Sequence, residues 1–206
     1  MDMTLRDFQT ALASSSPTPG GGTAAAVALG QAASLTVMVC DLTLGNEKWS
    51  EGWTVAEAAQ LLAIPLLNRA GELAQADSDA FDGVMDSFKL AKSTDAEKAE
   101  RRQAIHQATF IAAEIPYETA RMALELMKHL PDLAKRGNAN AVSDVGVAGL
   151  LASAAAKGAV FNVEINLASL PDAMGADLRT KLLNLKNEVK VTSREIMQAV
   201  RDRLEE

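Results

Sequence analysis

Asp77 is the residue whose position in the sequence most needs a chemical explanation. Placed on a helical wheel at 100° per residue, Ala70, Leu73, Phe81, Val84 and Phe88 fall within about 40° of it, while Glu72, Gln75, Asp79, Asp82 and Asp86 fall on the opposite side. Its acidic neighbours therefore have ordinary solvated positions, whereas Asp77 lies in the middle of an apolar stripe. A carboxylate there either has a partner from another helix or is partly desolvated with a raised pKa. The second case suits proton transfer; the first is a purely structural acid, and the wheel alone does not choose between them.

Two polar clusters accompany it. The run Ser14–Gly22, SSSPTPGGG, precedes a long apolar segment. Its backbone amides could face an anion or a polar ring at a helix start, or the glycines could simply let two helices approach closely. It lacks the Lys-Ser/Thr of a phosphate-binding loop and the full dinucleotide fingerprint. Asn138, Asn140, Ser143 and Asp144 gather at another helix start, where capping and dipole complementarity are the plain alternative to a ligand site. His106 and His129 are isolated and Cys40 is the only cysteine, so neither a zinc-ligand pattern nor a nucleophile beside a histidine is present. No metal and no cofactor are expected. Lys89 and Lys92 read most simply as solvated charges at a helix end.

The elements that must position these residues all read as helices. A first helix runs from Thr4 to Ala13, with Thr4 and Asp7 at capping-box spacing. The segment Thr23–Leu44 is nearly free of charge and long enough to imitate a membrane span. Gln31, Ser34, Thr36, Asp41 and Thr43 interrupt it, which favours a central helix enclosed by protein, apolar all round. Residues 54–88 form a helix bent at Pro65. Thr94 and Glu97 form a second capping box, opening a helix to about Ile115 that Pro116 bends or restarts and that continues to Leu130. Gly137 marks a break; residues 140–170 and 172–206 complete the set. In the last helix Leu178, Leu182, Leu185, Val189, Ile196 and Val200 make one stripe facing a bundle. The expected fold is all-α, a single domain over residues 1–206 built as a bundle of long, partly bent helices.

Composition agrees. Of 206 residues 48% are hydrophobic and only 4% aromatic, so the core is aliphatic and alanine-rich and a β-sandwich is disfavoured. A net charge of −7 argues against a nucleic-acid partner. The lone cysteine points to a reducing, cytoplasmic compartment, and no secretory leader or membrane partner is expected.

Four blocks together resemble the cyclodeaminase/cyclohydrolase family of folate enzymes, which includes methenyltetrahydrofolate cyclohydrolases and the C-terminal domain of formimidoyltransferase-cyclodeaminase. They are Leu12–Gly22 (LASSSPTPGGG) with the MVCDLTLG end of the following helix, Asp77–Lys92 (DSDAFDGVMDSFKLAK), Ile115–Ala120 (IPYETA), and Gly137–Leu167 (GNANAVSDVGVAGLLASAAAKGAVFNVEINL). The resemblance implies an all-helical homodimer acting on a reduced folate. It marks Asp77, opening the D-x-[D/E]-A-F pattern, as the catalytic carboxylate and Asp144 as a second acid. Substrate contacts are implied for Ser16, Gly20, Gly21 and Gly22 of the loop, for Lys48 and Lys92, and for Asn138 and Asn140. The chain departs from the pattern at Asn46-Glu47-Lys48-Trp49, where members often carry a basic-basic-Lys-Tyr run, and at Leu90-Ala91-Lys92, where they carry Leu-Pro-Lys.

The implied activity is hydrolysis of 5,10-methenyltetrahydrofolate to 10-formyltetrahydrofolate, with Asp77 moving a proton and Asp144, Asn138 and Asn140 orienting substrate or water. The alternative is a formimidoyltetrahydrofolate cyclodeaminase that releases ammonia; the absence of a transferase domain tilts the expectation to the cyclohydrolase. A non-catalytic helical interaction module is the remaining reading, in which the loop, Asp77 and the Asn/Asp block share no cavity.

Overall fold

A computed structural model describes residues 3–206, which form six α-helices and, among the described residues, no strand. They are α1 (Leu5–Leu12), α2 (Gly21–Thr43), α3 (Trp53–Ser87), α4 (Asp95–Arg136), α5 (Val142–Ala168) and α6 (Ala176–Glu205). Short 3₁₀ turns, Glu47–Gly52 and Ala139–Ala141, lead into α3 and α5. Helices α2, α3, α4 and α5 pack in a ring, each against the next, and α6 lies along α4 and α5. One contiguous aliphatic core fills the assembly, with Leu29, Leu73, Met127, Leu130, Val163 and Ile196 at most 1% exposed.

The helix starts follow local chemistry. The Thr4 hydroxyl accepts from the Asp7 amide at 3.2 Å. At α4 the capping box is complete: Thr94 Oγ1 accepts from the Glu97 amide at 3.2 Å, and Glu97 Oε2 accepts from the Thr94 amide at 2.8 Å. Helix α2 begins two residues earlier than the sequence predicts, because Gly21 and Gly22 form its first turn.

Two expectations are corrected. Pro116 does not restart α4, which spans 42 residues to Arg136, six beyond the predicted end at Leu130 and through a further proline, Pro131. A proline inside a helix leaves the carbonyl four residues earlier without its N–H partner. For Pro116 that carbonyl is Ala112 O, and the side chain of Asn166 on α5 donates to it at 2.7 Å. The packing thus replaces the missing bond, and the helix runs on. The second correction concerns α2, which is not enclosed on all sides. Its inner flank, including Ala26, Leu29, Ala33, Val39 and Cys40, is fully buried, but Gln31, Ser34, Met38 and Leu42 face outward. A ring of helices leaves each member an outer flank, and here that flank mixes Gln31 and Ser34 with Met38 and Leu42 and carries one charge, Asp41.

Candidate active site

Asp77 lies ten residues before the end of α3, alongside the N-terminus of α2. The wheel holds for all but its last position: Glu72, Gln75, Asp79, Asp82 and Asp86 are exposed, Ala70 and Leu73 are buried, and Asp77, Phe81 and Val84 are half-buried, whereas Phe88, just past the helix end, is exposed. Its carboxylate rests against backbone rather than against a cation. A Cβ on Gly22 would fall 2.2 Å from Asp77 Oδ1 and 2.7 Å from both Cγ and Oδ2. Only a residue without a side chain lets the carboxylate lie there. The Thr23 hydroxyl donates to Asp77 Oδ2 at 2.9 Å and itself accepts from the Gly20 amide at 3.4 Å.

Burial raises the Asp77 carboxyl above the ordinary carboxylate range, and hydrogen bonds from Thr23 act against the shift without cancelling it. Among the described residues the side chain has no salt-bridge partner within 4 Å. A carboxyl with an elevated pKa and no cation is what proton transfer near neutrality asks for.

The carboxylate opens into a cleft of about 260 Å³ between the loop before α2 and the α3, α4 and α5 helices. Pro17, Thr18 and the three glycines form one wall, Phe81 and Val84 another, and Asn162 and Asn166 a third. That volume is slightly below the usual range for a whole small-molecule site, about 300–1,000 Å³, so it suits a fused ring with the rest of a ligand lying outside. A larger, more open cleft of about 680 Å³ lies between α4 and the start of α6. It contains none of the candidate site residues singled out by the sequence.

The structure brings together only part of the predicted constellation. Asp77, Gly20, Gly21 and Gly22 share the cleft, but Ser16 does not line it; its amide donates to Ser14 Oγ at 3.2 Å within the loop. Lys92 is exposed in the connection between α3 and α4, five residues beyond the end of α3. Lys48 sits past the far end of α2, with its Nζ 4.6 Å from the Trp49 ring centre. Asn138 is occupied structurally: its amide donates to Thr43 Oγ1 at 3.0 Å, its Nδ2 to Leu42 O at 2.9 Å, and its Oδ1 accepts from the Asn140 amide at 3.0 Å. These bonds tie the α4–α5 turn to the end of α2. Asp144 is half-buried in the first turn of α5, eighteen residues or about 27 Å along the axis from Asn162. Within this chain, then, Asp144, Asn138 and Asn140 do not reach Asp77, because α5 carries them to the opposite end of the bundle.

Thr23, Asn162 and Asn166 escaped the sequence reading. The available signal was two amides four residues apart on one face of an otherwise apolar helix. No group of three or more His, Cys, Asp or Glu side chains among the described residues could hold a metal ion.

A profile of the formiminotransferase-cyclodeaminase family matches residues 4–184. The chain belongs to this family. A methenyltetrahydrofolate cyclohydrolase from Methylorubrum extorquens is 37% identical over 98% of this chain and 97% of its own length. The formimidoyltransferase-cyclodeaminases of Rattus norvegicus and Gallus gallus are 29% and 34% identical over 100% and 82% of the chain, which spans 38% and 31% of their lengths. A crystal structure of formiminotetrahydrofolate cyclodeaminase from Thermotoga maritima superposes with a TM-score of 0.81 at 27% identity, covering 99% of this chain and 96% of that one. The all-α architecture is thus shared over nearly the full length of a family member with an experimental structure.

Proposed function

We propose that this family member hydrolyses 5,10-methenyltetrahydrofolate to 10-formyltetrahydrofolate at the Asp77 cleft, with Asp77 as the proton carrier. The observation that carries the reading is a half-buried carboxylate without a cation, raised in pKa and set against the glycine start of α2 in a ring-sized cleft. The near full-length similarity to a protein named as that cyclohydrolase supports the choice of reaction.

The substrate's bridging carbon is flanked by N5 and N10 and shares their positive charge, so it is already electrophilic. No metal and no covalent nucleophile are needed. Water adds to the carbon while Asp77 takes one of its protons. The adduct collapses by breaking the bond to N5, which gains a proton; the remaining water oxygen becomes the formyl oxygen, and one proton is released overall. The ionised carboxylate also attracts the cation. Asp77 must be ionised to begin the cycle, so activity rises with pH through its elevated pKa. Loss of the near-ultraviolet absorbance of methenyltetrahydrofolate on adding the protein, undiminished by a chelator, tests the reading. No acceleration over buffer would refute it, and chelator-sensitive activity restored by zinc or magnesium would refute its metal-free form.

The cyclodeaminase structure and the bifunctional relatives favour a second reading at the same cleft. There N10 attacks a formimidoyl carbon, ammonia leaves, and the methenyl bridge forms. Ammonia release from formimidoyltetrahydrofolate distinguishes the two.

The working unit is proposed to be a homodimer. From Gly21 to Cys40 α2 carries no charge, and the outer flanks of α2 and α5 expose Met38, Leu42, Val147, Leu150, Phe161 and Ile165, the last 68% exposed. Large apolar side chains exposed in this number are costly to leave in water. Ile165 also lines the Asp77 cleft, so a dimer formed on this surface borders the site.

A further inference from the structure

We infer that Asn162 and Asn166 are substrate-contacting residues that accept hydrogen bonds from ring N–H groups of the reduced folate, and that Pro116 is a positioning residue that fixes the amide of Asn166 for this task. The inference rests on the folate reading above and deepens it.

The orientation of both amides is set by their partners. Asn162 Nδ2 donates to Gly158 O at 3.0 Å, one turn back on α5. Asn166 Nδ2 donates across to Ala112 O on α4 at 2.7 Å. A carbonyl can only accept, so in each side chain the nitrogen is turned onto backbone and Oδ1 is left over. Among the described residues the buried side-chain polar atom without a partner is Arg203 Nε alone; both Oδ1 atoms are therefore open to solvent, and both residues line the cleft.

The two bonds differ in strength of constraint. Gly158 O already accepts from the Asn162 backbone amide within the helix, so the Asn162 side-chain bond is an addition. Ala112 O has lost its usual donor, since Pro116 has no N–H. Ala112 is 8% exposed, and a buried carbonyl without a partner is costly. Asn166 is therefore favoured in one orientation by a carbonyl whose other recourse is a water in the cleft that Ala112 helps to line. Pro116 creates the vacancy, the vacancy orients the amide, and the amide presents an acceptor to the cleft.

With the Asp77 carboxylate, this wall of the cleft offers three side-chain acceptor groups, each amide also keeping its second N–H. The acceptors suit ligands that carry N–H donors. A reduced pterin supplies them at N3, at the exocyclic 2-amino group and at N8, on the pyrimidine-side ring and its junction. Contacts there would leave the N5–C–N10 bridge to face Asp77. Analogues lacking those donors leave the amide oxygens unpaired and are rejected.

The test uses Asn162→Leu, Asn166→Asp, Pro116→Ala and the Pro116→Ala/Asn166→Asp double variant, with steady-state kinetics on methenyltetrahydrofolate and calorimetric titration with unreactive 5-formyltetrahydrofolate. Asn162→Leu should weaken binding about tenfold, the loss expected for one hydrogen bond, with a smaller change in kcat. Asn166→Asp has no N–H for Ala112 O and should weaken binding by at least as much. In the Pro116→Ala background residue 116 supplies the missing N–H, so Asn166→Asp should recover to within about threefold of Pro116→Ala alone. If Asn166→Asp does not fold alone, the double variant should fold. A merely structural asparagine predicts unchanged affinity in the folded variants. Wild-type affinity in both Asn162→Leu and Asn166→Asp overturns the substrate contact while leaving the folate reading intact. A double variant no better than Asn166→Asp overturns the role of Pro116. If the wild type neither binds nor turns over either folate, the folate reading falls and takes the substrate contact with it. The Pro116–Asn166 link is then judged by melting alone: Asn166→Leu must lower Tm by more in the wild type than in Pro116→Ala, and equal losses overturn it.

Discussion

Gly22→Ala is the sharpest test of the Asp77 geometry, because it adds one methyl group and removes no functional atom. The new Cβ would stand 2.2 Å from Asp77 Oδ1, where ordinary contact begins at about 3.4 Å, so the carboxylate must retreat by about 1.2 Å. Its route is into the open cleft rather than into packed core, so the retreat is cheap. Gly22 lies in the first turn of α2 without a positive φ, and alanine is locally tolerated there. The expected outcome is a folded protein with Tm lowered by no more than a few degrees. Catalysis is less forgiving: a displacement of about 1 Å at a reacting group costs on the order of 10²-fold. We therefore expect kcat to fall about a hundredfold in the methenyltetrahydrofolate absorbance assay. Gly83→Ala is the control. It lies on the same helix as Asp77, its Cβ would meet nothing within 4 Å, and it should stabilise α3 by about 0.5–1 kcal/mol without altering rate. If Gly22→Ala retains kcat within about threefold of wild type, the carboxylate position does not limit the reaction and the site reasoning is wrong.

Asp77→Asn should reduce kcat by about 10²–10⁴-fold, while Asp79→Asn, exposed on the opposite face, should change it little. Because the folded state raises the Asp77 pKa above its usual 3.8, folding disfavours the ionised form: the penalty is absent in acid, sets in as pH rises past the unfolded pKa and is complete above the folded one. Asp77→Asn should accordingly raise Tm at neutral pH, with the gain vanishing below about pH 4; a loss of stability at pH 7 would contradict the assigned shift. Sedimentation should show a dimer burying about 2,000 Å² or more, and Leu150→Glu should dissociate it; a fully active wild-type monomer at assay concentration would sink the dimer proposal. The Cys40 thiol is pushed up to about 12 by burial and by the neighbouring Asp41 carboxylate, so iodoacetamide at pH 8 should label it only after denaturation.

Local chemistry made much of this protein legible along the chain alone. The Thr94–Glu97 capping box, the α6 stripe and the isolation of Asp77 each depend on residues within a few turns of one another, where helical periodicity already determines which side chains share a face. The glycine loop and the alanine-rich segment after it were legible for the same reason, as was the all-helical class. Tertiary packing decided what lay between helices. That Gly22 must lack a side chain follows from α3 crossing the start of α2, and the continuity of α4 through Pro116 follows from an amide supplied by α5. The separation of Asp144 and Asn138 from Asp77 also belongs to this level: helix starts look alike in sequence, but a 27-residue α5 places its own start and its cleft-lining amides at opposite ends of the bundle. Periodicity is a property of one helix and can be read along the chain. Which carbonyl lacks a donor, and which side chain fills the vacancy, is a property of two helices and exists only once they pack.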